Sequence, residues 1–534
     1  MTPAPLPTRR HDLDALRAVA MLLGIALHAA LSFTGGPWTV QDSRTSPAFH
    51  LFFEAIHGFR MPLFFLLSGF FTAMLWRQKG LRALLAHRFQ RVLLPLLLSL
   101  VTIIPLTNWI AATAARSAAA RPNPVTANST PDLWTASTTG NSPLVSSLIK
   151  DGADPNAQDP TLGITPLSLA AIHGHTESVR LLLAQGADPR RPNRDGATAL
   201  HAAAFFGRPE IARLLLDAHA DPLATNLRGE SALDATTANE PTTEFIASLL
   251  KVSINPAAVR DGRNAIRAML GAPPIAPPPP LAAFSQFLRL YPLLHHLWFL
   301  WFLCWMFAGF AVWTRIANRI RWLQKPRPAL DSPMPLLWLI PLTAIPAWFM
   351  GRDFPSFGPD TSTSLLPPLH LLAYYAIFFA FGALWFDSRI SSQGIGRLWK
   401  ISLPLALLII LPAGLYTTFI TSTHPAATFL KVTYAWTMCF AMIGLFQHVA
   451  SSERPWLRYL SDASYWMYLA HLPLVFAAQL LVRDWPMPPA WKFLIVCTSV
   501  SAILLASYHS LVRYSWLGTL LNSRKSRPAP APQS

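Results

Sequence analysis

Apolar residues run along this chain in stretches longer than a soluble core uses. A helix needs about 20 mostly apolar residues to cross a bilayer. Ten segments qualify, roughly 17–35, 49–75, 91–112, 290–313, 334–350, 366–386, 400–420, 428–449, 463–482 and 490–512. The fifth is short and interrupted by Pro335, Pro341 and Pro346. Basic residues gather between the segments. They occur at Arg9–Arg10, at Arg77, Lys79, Arg82, Arg88 and Arg91, and at Arg315, Arg319, Arg321, Lys325 and Arg327. They recur at Arg389, Arg397 and Lys400, at Arg454 and Arg458, and at Arg524, Lys525 and Arg527. Cytoplasmic loops carry the excess of Lys and Arg. With ten spans every cluster falls on one side, so both termini are expected in the cytoplasm. The stretch 113–289 is expected on the opposite side.

That stretch repeats itself. Thr165-Pro166-Leu167, Thr198-Ala199-Leu200 and Ser231-Ala232-Leu233 start at intervals of 33 residues. Gly174 and Gly207 keep the interval, as do Leu181-Leu182-Leu183 and Leu214-Leu215-Leu216. A period of 33 with Thr-Pro-Leu-x-x-Ala is the ankyrin signature, in which stacked helix pairs share a core. It predicts an α-solenoid over about 132–253, with degenerate end repeats as caps. Ala- and Pro-rich linkers are expected at 111–131 and 271–280.

Composition agrees with a membrane protein. Of 534 residues, 52% are hydrophobic and 13% charged, against about 25% charged in soluble domains. Mean hydropathy is +0.34. The net charge of +17 does not point to nucleic acid, because the basic residues flank apolar runs. Cys304, Cys439 and Cys497 lie inside apolar runs without metal-ligand spacing, so neither a zinc site nor a disulfide framework is expected. No small-residue cleavage site follows the first apolar run, which reads as a retained span.

An ionisable residue within a span is costly and is a functional candidate by default. Arg17 and His28 lie 11 residues apart on the first span. That is about three turns, so they share a face about 16 Å apart along the axis. Arg17, at the water edge, can bind phosphate or carboxylate. His28, deep in the span, can act as a general base. A snorkelling arginine and a histidine bonding between helices fit the same pair. Arg88 and Arg91 are three apart and share a helix face. They suit bidentate phosphate binding or plain anchoring. His471 is a second histidine within a span, and Ser68 precedes Gly69 in an apolar helix, where small residues allow close packing. Asp14 is placed to pair with Arg17 at i, i+3. His295 and His296 are adjacent and face different ways, which argues against joint metal ligation. His173, His175 and His201 fall at repeat positions and read as scaffold.

Five signatures, in order, resemble acyltransferase family 3. They are Leu13-Asp14-x-Leu16-Arg17 with Arg-x10-His, and Pro62-x-Phe64-Phe65-x-x-Ser68-Gly69-Phe70. Arg88-x-x-Arg91, His296-Leu297-Trp298-Phe299-Leu300 and Ser464-Tyr465-x-x-Tyr468-Leu469-x-His471 follow. His57-Gly58-Phe59-Arg60-Met61-Pro62 is similar to the glucan biosynthesis protein C subgroup. The resemblance covers the membrane blocks and not the insert. It implies an acyl-coenzyme A donor, with no bound cofactor and no metal, and a hydroxyl acceptor on an envelope glycan or similar compound. The acyl group would be acetyl or succinyl. It implies catalytic roles for His28 and Arg17, donor binding by Arg88 and Arg91, and supporting roles for Asp14, Ser68 and His471.

The expected architecture is therefore all-α, a bundle of about ten transmembrane helices with an inserted ankyrin solenoid. Residues 1–112 form the first membrane part, 113–289 the linker and repeats, 290–515 the second membrane part, and 516–534 a disordered tail. A bacterial inner membrane, with the ankyrin module in the periplasm holding the acceptor or a protein partner, fits this reading. A transporter or flippase, or an ankyrin scaffold on an inactive acyltransferase block, are the alternatives.

Overall fold

A computed structural model describes residues 10–36, 38–119, 132–159, 163–250, 252–276, 279–317, 334–351, 355–387, 394–420 and 424–522. The architecture is helical, and the one extended pairing among the described residues is a bridge between Thr225 and Ser231. Two compact units emerge: Met1–Ala119 with Tyr291–Ser534, and Ala120–Leu290.

In the first unit, eight stretches are long and apolar enough to cross a membrane, among the described residues. One of them, Pro47–Ser117, is 71 residues long. At 1.5 Å per residue that is about 100 Å, against a hydrocarbon core of about 30 Å. It contains two predicted spans, and the chain folds back between them. Gly80, at φ 78°, breaks the helix Pro47–Arg88, and Arg88 Nη2 reaches back to Thr72 Oγ1 at 3.1 Å. The predicted fifth span is a helix of 12 residues, Leu336–Ala347. It is about 18 Å long, too short to cross alone; Pro335 stands at its start, and Pro341 and Pro346 lie inside it. The ten predicted segments thus map onto eight stretches and one shorter helix.

Prolines inside the spans free carbonyls that side chains then claim. A proline cannot donate to the carbonyl four residues before it. Pro95 frees Arg91 O, which accepts from the Tyr465 hydroxyl at 2.7 Å. Pro473 frees Leu469 O, which His296 Nε2 approaches to 3.0 Å. Glycines let helices touch. A Cβ on Gly69 would collide with the carbonyl of Phe379, and one on Gly382 with that of Leu66. The helices Pro47–Arg88 and Leu369–Asp387 therefore meet backbone to backbone. The loop between the first two helices is pinned by Lys492, whose Nζ bonds Asp42 Oδ2 at 2.7 Å, both side chains 1% exposed. Lys492 also donates to Arg483 O at 2.7 Å. Breaking such a buried pair costs about 3–5 kcal/mol.

The second unit stacks helix pairs: Leu133–Thr139 with Ser142–Lys150, Pro166–His173 with Thr176–Ala184, Ala199–Phe205 with Pro209–Asp217, and Ala232–Ala235 with Glu240–Leu249. The repeated Thr and Ser are helix caps. Thr165 accepts from Ser168 N, and Ser231 forms a capping box with Asp234. Gly174, at φ 79°, closes its helix in the left-handed region that favours glycine.

Four boundaries differ from the sequence reading. The helix Ile103–Ala119 continues into the expected linker, because the Ala-rich stretch favours helix. A helix Pro256–Met269 follows the last predicted repeat. Its Arg263 donates to Phe205 O and Ala238 O, so it covers the open end of the stack. Pro280–Leu290 is also helical. The expected disordered tail opens as a helix, Trp516–Leu521, because Ser515 caps it by accepting from Gly518 N. The remainder, 523–534, lies outside the described residues, as do Arg9, Arg319, Arg321, Lys325, Arg327 and Arg389 of the basic clusters.

Candidate active site

The first helix, His11–Leu31, carries two of the predicted residues, and each has gathered a different neighbourhood. At its start Arg17 lies 3.3 Å from Asp14 Oδ1, donates to Ser461 Oγ at 3.1 Å and stands over the Phe71 ring at 5.7 Å. Arg88 is an electrostatic neighbour of both Arg17 and Arg91. Its guanidinium also lies over Phe307 at 4.9 Å, and its buried Nε has no partner among the described residues. Arg91 Nη2 donates to Asn522 O at 2.7 Å. Arg88 and Arg91 do not point the same way as the α-helical spacing predicts. The intervening turn, Phe89–Leu93, is a π-helix, so Arg88 turns to Thr72 and Phe307 while Arg91 turns to Asn522. The three arginines still form one basic cluster.

Near the other end of that helix, His28 Nδ1 lies 2.8 Å from His471 Nε2. His471 Nδ1 lies 2.7 Å from the carbonyl oxygen of Tyr468. A carbonyl only accepts, so in neutral His471 the proton is on Nδ1 and Nε2 is an acceptor. His28 must then donate from Nδ1, which leaves its Nε2 with a free lone pair. The same logic applies to His296. Its Nε2 donates to Leu469 O, and its buried Nδ1 has no partner among the described residues. The His296 ring stands edge-on to His471 with centroids 4.9 Å apart, and Tyr468 OH donates to His296 O at 2.7 Å.

Neighbours fix the His28 ring. Trp38 stacks on it, with centroids 5.8 Å apart and planes within 7°. Gln479 accepts from Trp38 Nε1 at 3.0 Å and donates to His28 O at 3.0 Å. His471 is 2% exposed, whereas His28 is only partly buried. Ser68 contributes its carbonyl, which accepts from Thr72 Oγ1 at 2.6 Å, and it stands beside the close-packed Gly69.

Of the sequence candidates, Asp14, Arg17, Arg88 and Arg91 form one group and His28 and His471 another, while Ser68 meets the first through Thr72. The sequence pattern assigns no site role to His296, Trp38, Gln479 or Arg60, which the structure places around His28. For His296, the divergence of adjacent residues on an α-helix argues only against joint metal ligation with His295. His296 sits instead in a short 3-10 turn, His295–Leu297, with His295 at φ 43°. The freed carbonyl of Leu469, four residues before Pro473, was the available signal.

Two family models match. One, described as an acyltransferase domain, covers residues 10–139 and 268–509, more than half of the chain. The other, described as ankyrin repeats in three copies, covers 133–226. The chain is also similar to proteins named glucans biosynthesis protein C from Escherichia coli strain K12 and from E. coli O157:H7, at 40% identity over 103 residues. That match covers 19% of this chain and about a quarter, 26%, of the length of those relatives.

Proposed function

This chain belongs to acyltransferase family 3, and from that premise we propose that it transfers an acyl group from acyl-coenzyme A to a hydroxyl of an envelope glycan. It is an integral membrane acyltransferase; the donor, acceptor and residue roles are the proposal. The observation that carries it is the 2.8 Å contact between His28 Nδ1 and His471 Nε2, because it leaves His28 Nε2 free as a base.

The two residue groups divide the work. Arg17, Arg88 and Arg91 hold the phosphates of coenzyme A by charge-assisted hydrogen bonds. The pantetheine arm spans the depth of about 16 Å along the first helix and brings the thioester to His28. His28 Nε2 takes the acceptor hydroxyl proton as the oxygen attacks the thioester carbon. His471 holds the ring in the productive tautomer and, by accepting from Nδ1–H, steadies the imidazolium that forms. His28 then returns the proton to the departing thiolate. Asp14 orients Arg17 through their ion pair. The name of the similar E. coli proteins supports a glucan acceptor, and acetyl or succinyl is the acyl group.

The test is release of coenzyme A thiol by purified protein given an acyl-coenzyme A and a glucan. His28→Ala should lower the rate by about 10²–10⁴, the usual worth of a general base, while accumulating normally. A rate within a few-fold of wild type removes His28 from the mechanism.

The positive-inside rule supports a cytoplasmic donor side and a periplasmic ankyrin module. A single cysteine in the 271–280 linker, with the native cysteines replaced, should react with an impermeant maleimide in intact spheroplasts. Labelling only after lysis would put the module in the cytoplasm.

A further inference from the structure

The His28 group contains a cation that the proton-transfer scheme does not use. Arg60, on the second helix, is 9% exposed. Its buried Nε has no hydrogen-bond partner among the described residues. Two neutral tyrosines, Tyr468 and Tyr375, are its electrostatic neighbours, and no carboxylate is among them in the described residues. Glu54, the nearest acid on the same helix, is already engaged, accepting from the backbone N–H groups of Phe357 and Gly358 at 3.1 and 3.2 Å. A guanidinium cannot escape its charge by losing a proton, and an unpaired buried charge is expensive.

The sequence makes room for it at one place. Gly24 is one turn before His28, and a Cβ on Gly24 would collide with Arg60 Nη1. The guanidinium therefore fills the space that Gly24 leaves empty. Side chains on a helix lean toward its N-terminus, so the His28 ring leans over the turn that contains Gly24. Arg60 is accordingly an electrostatic neighbour of His28, His57 and His471 together. A fixed cation of this kind, beside a base with a free lone pair, is matched to negative charge that appears during reaction and not to a resident anion.

We propose that Arg60 is a catalytic residue, the oxyanion-binding group of the acyl transfer; this rests on the reading of His28 given above. As the acceptor oxygen bonds to the thioester carbon, the carbonyl electron pair moves onto its oxygen and the hydroxyl proton goes to His28 Nε2. The Arg60 guanidinium holds that oxyanion. When the pair returns, the carbon–sulfur bond breaks, and the thiolate leaves with the proton from His28. The products are an ester and a thiol, and His28 and Arg60 are restored.

The experiment compares wild type, His28→Ala, Arg60→Met, Arg60→Lys, Gly24→Ala and Gly24→Ala/Arg60→Met in steady-state acyl transfer. Arg60→Met should lose about 10²–10³ in kcat, as removal of an oxyanion donor does, with KM for the donor within about threefold. Arg60→Lys should recover part of the loss. Gly24→Ala keeps every charged group and favours helix, but its methyl displaces the guanidinium. It should lower kcat, and adding Arg60→Met should lower it no further. Thermal melting should show Arg60→Met at least as stable as wild type, since an unpaired buried charge has gone. Should Arg60→Met keep its kcat, or lose only KM, while His28→Ala is inactive, the role of Arg60 is overturned and the base survives. The reverse pattern overturns the base and leaves Arg60 in place.

Discussion

In the ankyrin unit, His201 has both ring nitrogens engaged. Nδ1 meets the Thr198 hydroxyl at 3.0 Å, and Nε2 meets Glu230 O, from the next repeat, at 3.0 Å. His175 likewise ties to Thr138 O of the preceding repeat at 2.9 Å. In the membrane unit the histidines bond in a line, from His28 to His471 to the Tyr468 carbonyl, and the line stops short. Among the described residues His28 Nε2 has no hydrogen-bond partner, nor do His296 Nδ1 and Arg60 Nε, and His28 is only partly buried. A satisfied histidine is a rivet. An unsatisfied one, held rigidly where burial makes it costly, is kept for something that is not always there. The contrast separates histidines that tie repeats together from histidines that keep a nitrogen open.

The strongest way to break that contrast is to cut the line of histidines. His471→Ala leaves the His28 ring without its acceptor, and a misplaced base costs about 10²-fold in rate. His471→Gln, which can still accept, should restore part of it. The pH–rate profile of the alanine variant should also move, because the imidazolium of His28 loses its support. A variant with normal rate and profile would reduce His471 to a rivet.

A smaller effect is expected at the arginines. Arg88→Ala should raise KM for acyl-coenzyme A by about 10-fold or more, the worth of one hydrogen bond to a charged group, and Arg91→Ala should do less because Arg91 already donates to Asn522 O. Lysine should restore each only partly, and the differences should shrink at high salt. Unchanged donor KM in the double variant would leave the pair as membrane anchors.

The ankyrin unit should respond to pH in its stability and not in the chemistry. Burial, with His175 and Arg208 nearby, lowers the pKa of His173 from 6.5 to about 4. The unfolded chain therefore takes up a proton before the folded one does. The stabilisation is complete above pH 6.5 and is lost progressively as pH falls toward 4. Hydrogen-exchange protection factors in the repeats should fall over that window, and His173→Gln should flatten the dependence. Equal dependence in the variant would assign it elsewhere.

The repeats were legible because their signals are local. Thr165, Thr198 and Ser231 cap helices a few residues away, and a period of 33 displays the stacking directly. The spans were legible for the same reason. His28 and His471 can each be chosen from sequence as ionisable groups in apolar runs, but their contact joins positions 443 residues apart. No pattern along the chain records it. Arg60 stands inside a recognisable signature, yet its interest lies in the absence of a neighbouring acid among the described residues, which only packing reveals. Arg88 and Arg91 misled because the π-turn between them defeats the α-helical spacing.

Pro473 sets helix stability against the contact of His296 Nε2 with Leu469 O. Replacing it with alanine would return an N–H to the helix and remove a residue that costs about 3 kcal/mol in a helix interior. The restored N–H would claim Leu469 O and dislodge His296 Nε2 from it. A library sorted only by resistance to heat should therefore enrich Pro473→Ala, and the same library sorted by turnover should discard it. This proline would persist only under selection for function.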